Sequence, residues 1–516
     1  MNLLRAITTV GGYTMVSRVA GLVRDVLIAA VLGAGTVADC YFVALRLPNL
    51  FRRLFAEGAF AAAFVPIFSG LVETDGKAAA KRFADQAFSV LALVLLAFTA
   101  LFEAAMPWAM YGLAPGFDAV PGKMELATEL SRISFPYLLF ISLVSLQSGV
   151  LNSLGRFAAA AAAPILLNLT LIAAVLTFGR SAEDAGYALS WGLSAAGVIQ
   201  LGWLAYHCRR AGLPVALVRP RLSPKVRQLG RRILPVVFGA SLYQINQLIG
   251  TILASLLAEG AISYLSYADR IAQVPFGVIG VAVGTALLPM LSRQIKAGNG
   301  EAALHTQNRG LEFALLLTLP AAAALVVIAG PIIAVLFERG QFTAADTAAT
   351  AATLAAYASG LPAYVLVRVL APGFFARDDT VTPVRIAAAA MAANIVLNVV
   401  LMQVWAYVGI ALAGALAAWL NAGLLWYVLH RRGFLVPDAR LRRRLPRIAL
   451  AAALMAGVLA AGGMALEGAL AGSMVARIAA LAALVAAGLA AFGAFAQVTG
   501  AAALADVRRM LRKDAA

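Results

Sequence analysis

Eight ionisable side chains interrupt a stretch that is otherwise apolar enough to cross a bilayer: Arg18, Arg24, Asp25, Asp39, Arg46, Arg52, Arg53 and Glu57 in SRVAGLVRDVLIAAVLGAGTVADCYFVALRLPNLFRRLFAEG. An arginine at the centre of a spanning helix costs about 2.5 to 3.5 kcal/mol on insertion scales, so several of them cannot face lipid. They must line a water-filled cavity or pair with carboxylates. Arginines outnumber acids here five to three. Guanidinium groups stay protonated and form bidentate hydrogen bonds to phosphate and carboxylate oxygens. The chemistry is therefore capture of a multiply charged anion. The chain carries no nucleophile elbow and no metal-ligand spacing, and His207, His305 and His430 are expected in connections between apolar runs. No catalytic residue, metal or cofactor is expected.

On a helix, residues seven apart share a face, which aligns Arg18 with Asp25 and Arg24 with Ser17. Gly11, Gly12 and Gly21 let this first helix bend or pack closely. A second acid and base, Asp269 and Arg270, occur in SYADRIAQVPFG. They satisfy each other, or Arg270 points into the same cavity. Glu103, Gln147 and Arg368 also fall in apolar runs and read as helix-packing or cavity-wall residues.

With 62% hydrophobic and 13% charged residues and a mean hydropathy of +0.88, the chain is an all-α polytopic membrane protein. Its net charge of +17 has its explanation in cytoplasmic loops that retain lysine and arginine, with no call for nucleic acid. Two cysteines, Cys40 and Cys208, imply no disulfide framework, and no cleavable signal peptide is evident.

Runs long enough to span fall near 6–32, 36–70, 83–111, 130–154, 157–178, 185–206, 230–257, 260–292, 310–337, 350–375, 381–404, 408–429, 447–467 and 473–499, fourteen transmembrane helices. Between His207 and Arg232 lie eight basic residues and no acid, which puts that connection in the cytoplasm. Alternate loops agree: Lys77, Lys81, Arg82, Arg293 and Lys296 share its side, whereas Asp118, Glu125, Glu183, Asp184, Glu259 and Glu338 fall opposite. Both termini are then cytoplasmic.

EGAFAAAFVPIFSGLVETDGKAAA from Glu57 overlays GVAVGTALLPMLSRQIKAGNGEAA from Gly280, pairing Pro66 with Pro289 and Ser69 with Ser292 at a spacing of 223 residues. Six helices separate the copies, so the repeat is parallel. The expected organisation is a six-helix lobe over 1–206, a basic linker over 207–232, a second six-helix lobe over 233–430, and two additional helices with a basic tail over 431–516.

SRVAGLVRD, LGAGTVADCYFVA, LPNLFRRLFAEGAFAAAFVP, YADRIAQVPFGVIGVAVGTALLP and LAPGFFARDDTVTP together resemble the MurJ (MviN) family of bacterial lipid II flippases, within the multidrug/oligosaccharidyl-lipid/polysaccharide exporter superfamily. The resemblance covers nearly the whole chain. It implies inner-membrane transport of lipid II, a diphosphate-linked precursor of peptidoglycan, by alternating access through a central cationic cavity. Arg18, Arg24, Arg52 and Arg270 would contact its head group, and the last two helices would form a groove for its polyprenyl tail. Ser17, Asp25, Asp39, Arg53, Glu57 and Asp269 are the accompanying gate or cavity residues. Lipid II, the phospholipid bilayer and the cell-wall synthesis machinery are the implied partners. The alternatives are export of another lipid-linked oligosaccharide or of a drug, although cationic drugs call for an excess of carboxylates. A membrane-embedded glycosyltransferase would need a catalytic acid and a larger outer loop.

Two positions depart from many relatives: Gln273 stands where a glutamate is usual, and SLYQINQLIG, with Asn246 and Gln247, lacks the acid of a sodium site. Asp39 follows the short glycine loop between the first two helices. It is expected at the periplasmic mouth, in polar contact with the segment from Ser263 to Ser266.

Overall fold

The computed structural model describes residues 3–53 and 59–501, and every regular element among them is helical. Glu57 and the tail arginines lie outside the described residues. By packing, the chain forms two compact units, one of Met1–Ser263 with Arg339–Thr343 and the other of Tyr264–Glu338 with Ala344–Ala516.

The first unit contains α1 (Leu3–Leu32), α2 (Thr36–Ala44), α3 (Arg46–Phe51), α4 (Ala59–Thr74), α5 (Gly76–Leu113), α6 (Lys123–Ser134), α7 (Tyr137–Ser153), α8 (Phe157–Phe178), α9 (Ala182–Arg210) and α10 (Pro224–Ser255). The single helix expected over 36–70 is interrupted at Leu45, between α2 and α3. Pro48 has no amide to donate to the carbonyl of residue 44, and α2 stops at Ala44. Between α1 and α2 the chain turns at Gly33, whose φ of +63° suits only glycine, and a Cβ there would stand 2.6 Å from the Gln341 carbonyl oxygen. Gly340 (φ +59°) approaches the Ala30 carbonyl as closely, and the Gln341 amide donates to that carbonyl at 2.8 Å. The core of this unit is built on Phe60, Phe64, Phe68 and Phe83, with successive rings 5.4 to 5.5 Å apart.

The second unit continues α11 (Ala261–Pro275) through a π turn (Phe276–Gly280) into α12 (Val281–Lys296). Then come α13 (Gly300–Val327), α14 (Ala329–Phe337), α15 (Ala344–Ser359), α16 (Leu361–Phe375), α17 (Val381–Arg431), α18 (Ala439–Ala465), α19 (Glu467–Leu470) and α20 (Met474–Val498). The spans expected over 381–404 and 408–429 follow one another as α17, which breaks at Trp405 and Ala406, where φ reaches 46°. Pro136 and Pro362 each stand at the start of a helix after a break, α7 in one unit and α16 in the other. Among the described residues nine helical segments are long and apolar enough to cross a membrane.

α18 and α20 pack together through Met455, Leu459 and Leu484, beside Ile328. The outer face of α20 carries Val475 and Leu489, 77% and 72% exposed, as suits a lipid-facing surface. One buried carboxylate latches α18 to α13: Glu312 receives Arg309, Arg440 (3.1 Å) and Arg444 (2.5 Å).

Candidate functional site

Asp39 lies in the first turn of α2 and is 2% exposed. Four donors saturate its carboxylate. Oδ2 accepts from Lys123 Nζ and from the Gly260 amide, both at 2.9 Å, and Oδ1 accepts from the Ser263 amide at 3.0 Å and its hydroxyl at 2.7 Å. Gly260 and Ser263 flank the start of α11, so Asp39 occupies the place of an N-terminal cap, where a helix presents unpaired amides and positive potential. Glu259 does the same for α2. It accepts from the Thr36 amide at 2.6 Å and from the Thr36 hydroxyl. The Thr36 hydrogen bonds hold the Glu259 carboxyl below its ordinary value of 4.5, against the opposing effect of burial. Thr36 and Glu259 are 223 residues apart, the spacing of the sequence repeat. Two repeat-related helix starts thus cap each other. The contact expected between Asp39 and the 263–266 segment is present at Ser263.

Lys123, 4% exposed, has no sequence signal beyond its position in the turn GFDAVPGKMEL, which reads as an exposed loop. The fold instead buries it between Asp39 and the Phe117 ring, 4.4 Å from the ring centroid.

Arg24 sits deeper in α1. Its Nε and Nη2 reach Asp25 Oδ1 at 3.0 and 2.6 Å, and its Nη1 reaches Asn168 Oδ1 at 2.8 Å. Asn168, on α8 and 5% exposed, donates in turn to the Ser17 carbonyl at 3.0 Å. Ser17 therefore serves through its backbone. The guanidinium is fixed on two edges by a carboxylate and an amide. Asn168 was not singled out in the sequence, where its one signal is a carboxamide inside the otherwise apolar FAAAAAAPILLNLTLIAAVLTF. Arg18 is exposed on α1, Arg52 is half-buried after α3, and Arg53 is exposed beside it. Glu57 falls outside the described residues.

In the second unit Arg270 is exposed and Asp269 half-buried on α11. Gln273 donates to the Asp269 carboxylate. Arg368 stacks on Phe276 at the π turn, 4.6 Å from its centroid. The three histidines lie inside α9, α13 and α17, contrary to the expectation of connections, because those helices run past the bilayer-length apolar core. Cys40 and Cys208 are free and buried. No cluster of three metal-ligating side chains occurs among the described residues.

A strongly apolar all-helical chain with interrupted helices and an arginine, Arg24, held on two edges by a carboxylate and an amide has the features of a polytopic transporter rather than an enzyme. Solved structures of that class share its fold: an inward-facing multidrug resistance MATE family transporter of the MOP superfamily aligns over 83% of this chain and 98% of its own, at 14% identity and a TM-score of 0.66. A lipid II flippase MurJ in an inward closed conformation aligns over 95% of this chain and 98% of its own, at 24% identity and a TM-score of 0.75. The family profile described as lipid II flippase MurJ matches residues 28–479, and the chain belongs to that family. Its relatives include probable lipid II flippases MurJ from Rhizobium tropici, 47% identical over 463 residues (89% of this chain, 87% of the relative), and from Vibrio cholerae serotype O1, 39% identical over 472 residues (89% of each). The lipid II flippase MurJ of Burkholderia cenocepacia is 37% identical over 463 residues, 89% of this chain and 90% of its own.

Proposed function

We propose that this protein carries lipid II from the cytoplasmic to the periplasmic leaflet of the bacterial inner membrane by alternating access. Family membership supports the substrate, and the observation that carries the chemistry is Arg24, an intramembrane guanidinium oriented by Asp25 and Asn168. A guanidinium held on two edges keeps charge, and part of its donor fork, for a diphosphate oxygen, with its rotamer entropy lost in advance of binding. In this reading Arg18, Arg52 and Arg270 complete the cationic cavity. The topology is fourteen helices with both termini cytoplasmic: lobes over 1–206 and 233–430, a linker over 207–232, and α18 with α20 guiding the polyprenyl tail. The Asp39 and Glu259 caps close the periplasmic mouth in the inward-facing state, and release of both opens it. The closure must be worth only a few kcal/mol for the states to exchange on a useful timescale. Export of a cationic drug has no support in a site rich in arginine.

The test is complementation in cells depleted of the native flippase. Lipid II should become accessible to an impermeant external reagent when this chain is expressed, and remain inside with Arg24→Ala at equal membrane abundance. External lipid II at the wild-type level with Arg24→Ala rules out the assigned role.

A further inference from the structure

The basic connection between α9 and α10 has a built structure that lipid II transport does not explain. Its backbone is pinned to α5: the Ala216 amide donates to Asp85 Oδ1 at 2.9 Å and the Val218 amide to Ser89 Oγ at 2.8 Å. Amides two residues apart in extended chain repeat at nearly the separation of side chains four apart on a helix, which is why the two bonds form in register. Asp85, 6% exposed, also accepts from Lys81 at 2.5 Å. Leu213, Val226 and Leu229 turn inward to join the core around Phe68 and Phe83.

With one face so committed, the other is set. It exposes Leu217 (71%) and Leu222 (67%), with Arg219, Arg221 and Lys225 interleaved. Beside Leu222 opens a cavity of about 440 Å³ lined by Pro224, Arg227, Gln228, Arg231 and Arg232. Arg227 and Arg231, and likewise Gln228 and Arg232, are one turn apart on α10, so four donor side chains converge on one side of its first turns. The helix N-terminus adds positive potential there.

We infer that this cleft binds the phosphate head group of an anionic glycerophospholipid of the cytoplasmic leaflet, with its acyl chains entering the bilayer beside Leu217 and Leu222. The leaflet follows from the cytoplasmic placement of the linker proposed above. A soluble phosphate would gain nothing from two exposed leucines at the rim, whereas a lipid needs both the arginines and the apolar edge. Head-group binding fixes the start of α10 at the membrane surface and ties the linker to lipid composition.

The experiment is native mass spectrometry of the purified full-length protein in neutral detergent, titrated with phosphatidylglycerol or phosphatidylcholine of the same chain length. Wild type should retain phosphatidylglycerol at least tenfold more tightly. Arg227→Gln/Arg231→Gln/Arg232→Gln should fall to the phosphatidylcholine level, while Arg442→Gln/Arg443→Gln/Lys296→Gln, which removes as much charge from other exposed positions, should not. Leu217→Ser/Leu222→Ser should weaken phosphatidylglycerol several-fold, and this pair decides the matter if the triple variant fails to melt cooperatively. Equal affinity for the two lipids, or undiminished binding by the triple or the leucine variant, overturns the inference. So does displacement by glycerol phosphate at the lipid's own concentration, which makes the cleft a soluble phosphate site, or one-for-one displacement by lipid II, which makes it part of the transport route. Because the readout is binding, it stands or falls apart from the transport assignment.

Discussion

Asp39 and Glu259 cap each other's helices: the carboxylate carried by α2 takes the first amides of α11, and the carboxylate just before α11 takes the first amide of α2. Neither bond set is local, so neither helix start is complete alone. Two reciprocal polar clasps between the same pair of helix starts are coupled, so that loss of one weakens the other.

The buried pair is the clasp's vulnerable member. Lys123→Ala should be tolerated better than Asp39→Ala, because loss of Asp39 leaves a buried ammonium, two amides and a hydroxyl without their acceptor, at a cost of about 3 to 5 kcal/mol. Thermal unfolding of the two single variants and the double variant in detergent checks this. The double variant should be more stable than Asp39→Ala alone; strict additivity would show that the pair is uncoupled.

The Glu259 clasp should depend on pH. Its folded value is lowered from the ordinary 4.5, so its contribution is present above 4.5 and is lost as pH falls through the lowered value. The difference in melting temperature between wild type and Glu259→Gln should be constant near neutrality and shrink below pH 4.5. A difference unchanged in acid contradicts the bonding described.

Asn168→Leu keeps the branched outline of the α8 side chain but removes the amide that orients Arg24. Transport should fall severalfold while abundance holds. Arg24→Lys should recover only part of the activity that Arg24→Ala loses, since an ammonium cannot reach Asp25 and Asn168 with two edges at once. Initial rates of lipid II appearance outside, normalised to protein, decide both.

Glu312 gathers three arginines, so Glu312→Gln should loosen α18 from α13 and expose the connection before Asp438 to protease. Cleavage at 433–438 should rise severalfold, and Arg440→Gln/Arg444→Gln in the same background should restore resistance. Unchanged cleavage in Glu312→Gln means that apolar packing through Leu441 and Ile448 holds α18 unaided.

Much of this was readable in the residues. Asp39 was locatable because a glycine turn places it at a helix start, and its partner followed from the repeat. Lys123 was not, because a lysine in a turn looks solvated until the fold supplies Asp39 from 84 residues away. Asn168 hid in an alanine-rich span, where one polar residue does not reveal what it faces. The breaks near Pro48, Pro136 and Pro362 fall inside runs that read as single spans, because where a helix stops and resumes depends on packing. Glu259 read as a loop acid marking the outer side, and nothing local says that it closes on Thr36.

Transport of the proposed substrate should depend directly on Arg24. The most direct measurement uses purified protein in liposomes containing fluorescent lipid II, with an impermeant quencher added outside. Wild type should raise the quenched fraction with time above that of protein-free vesicles. Arg24→Ala should match protein-free vesicles at equal reconstitution, and quenching by Arg24→Ala at the wild-type rate would contradict the account.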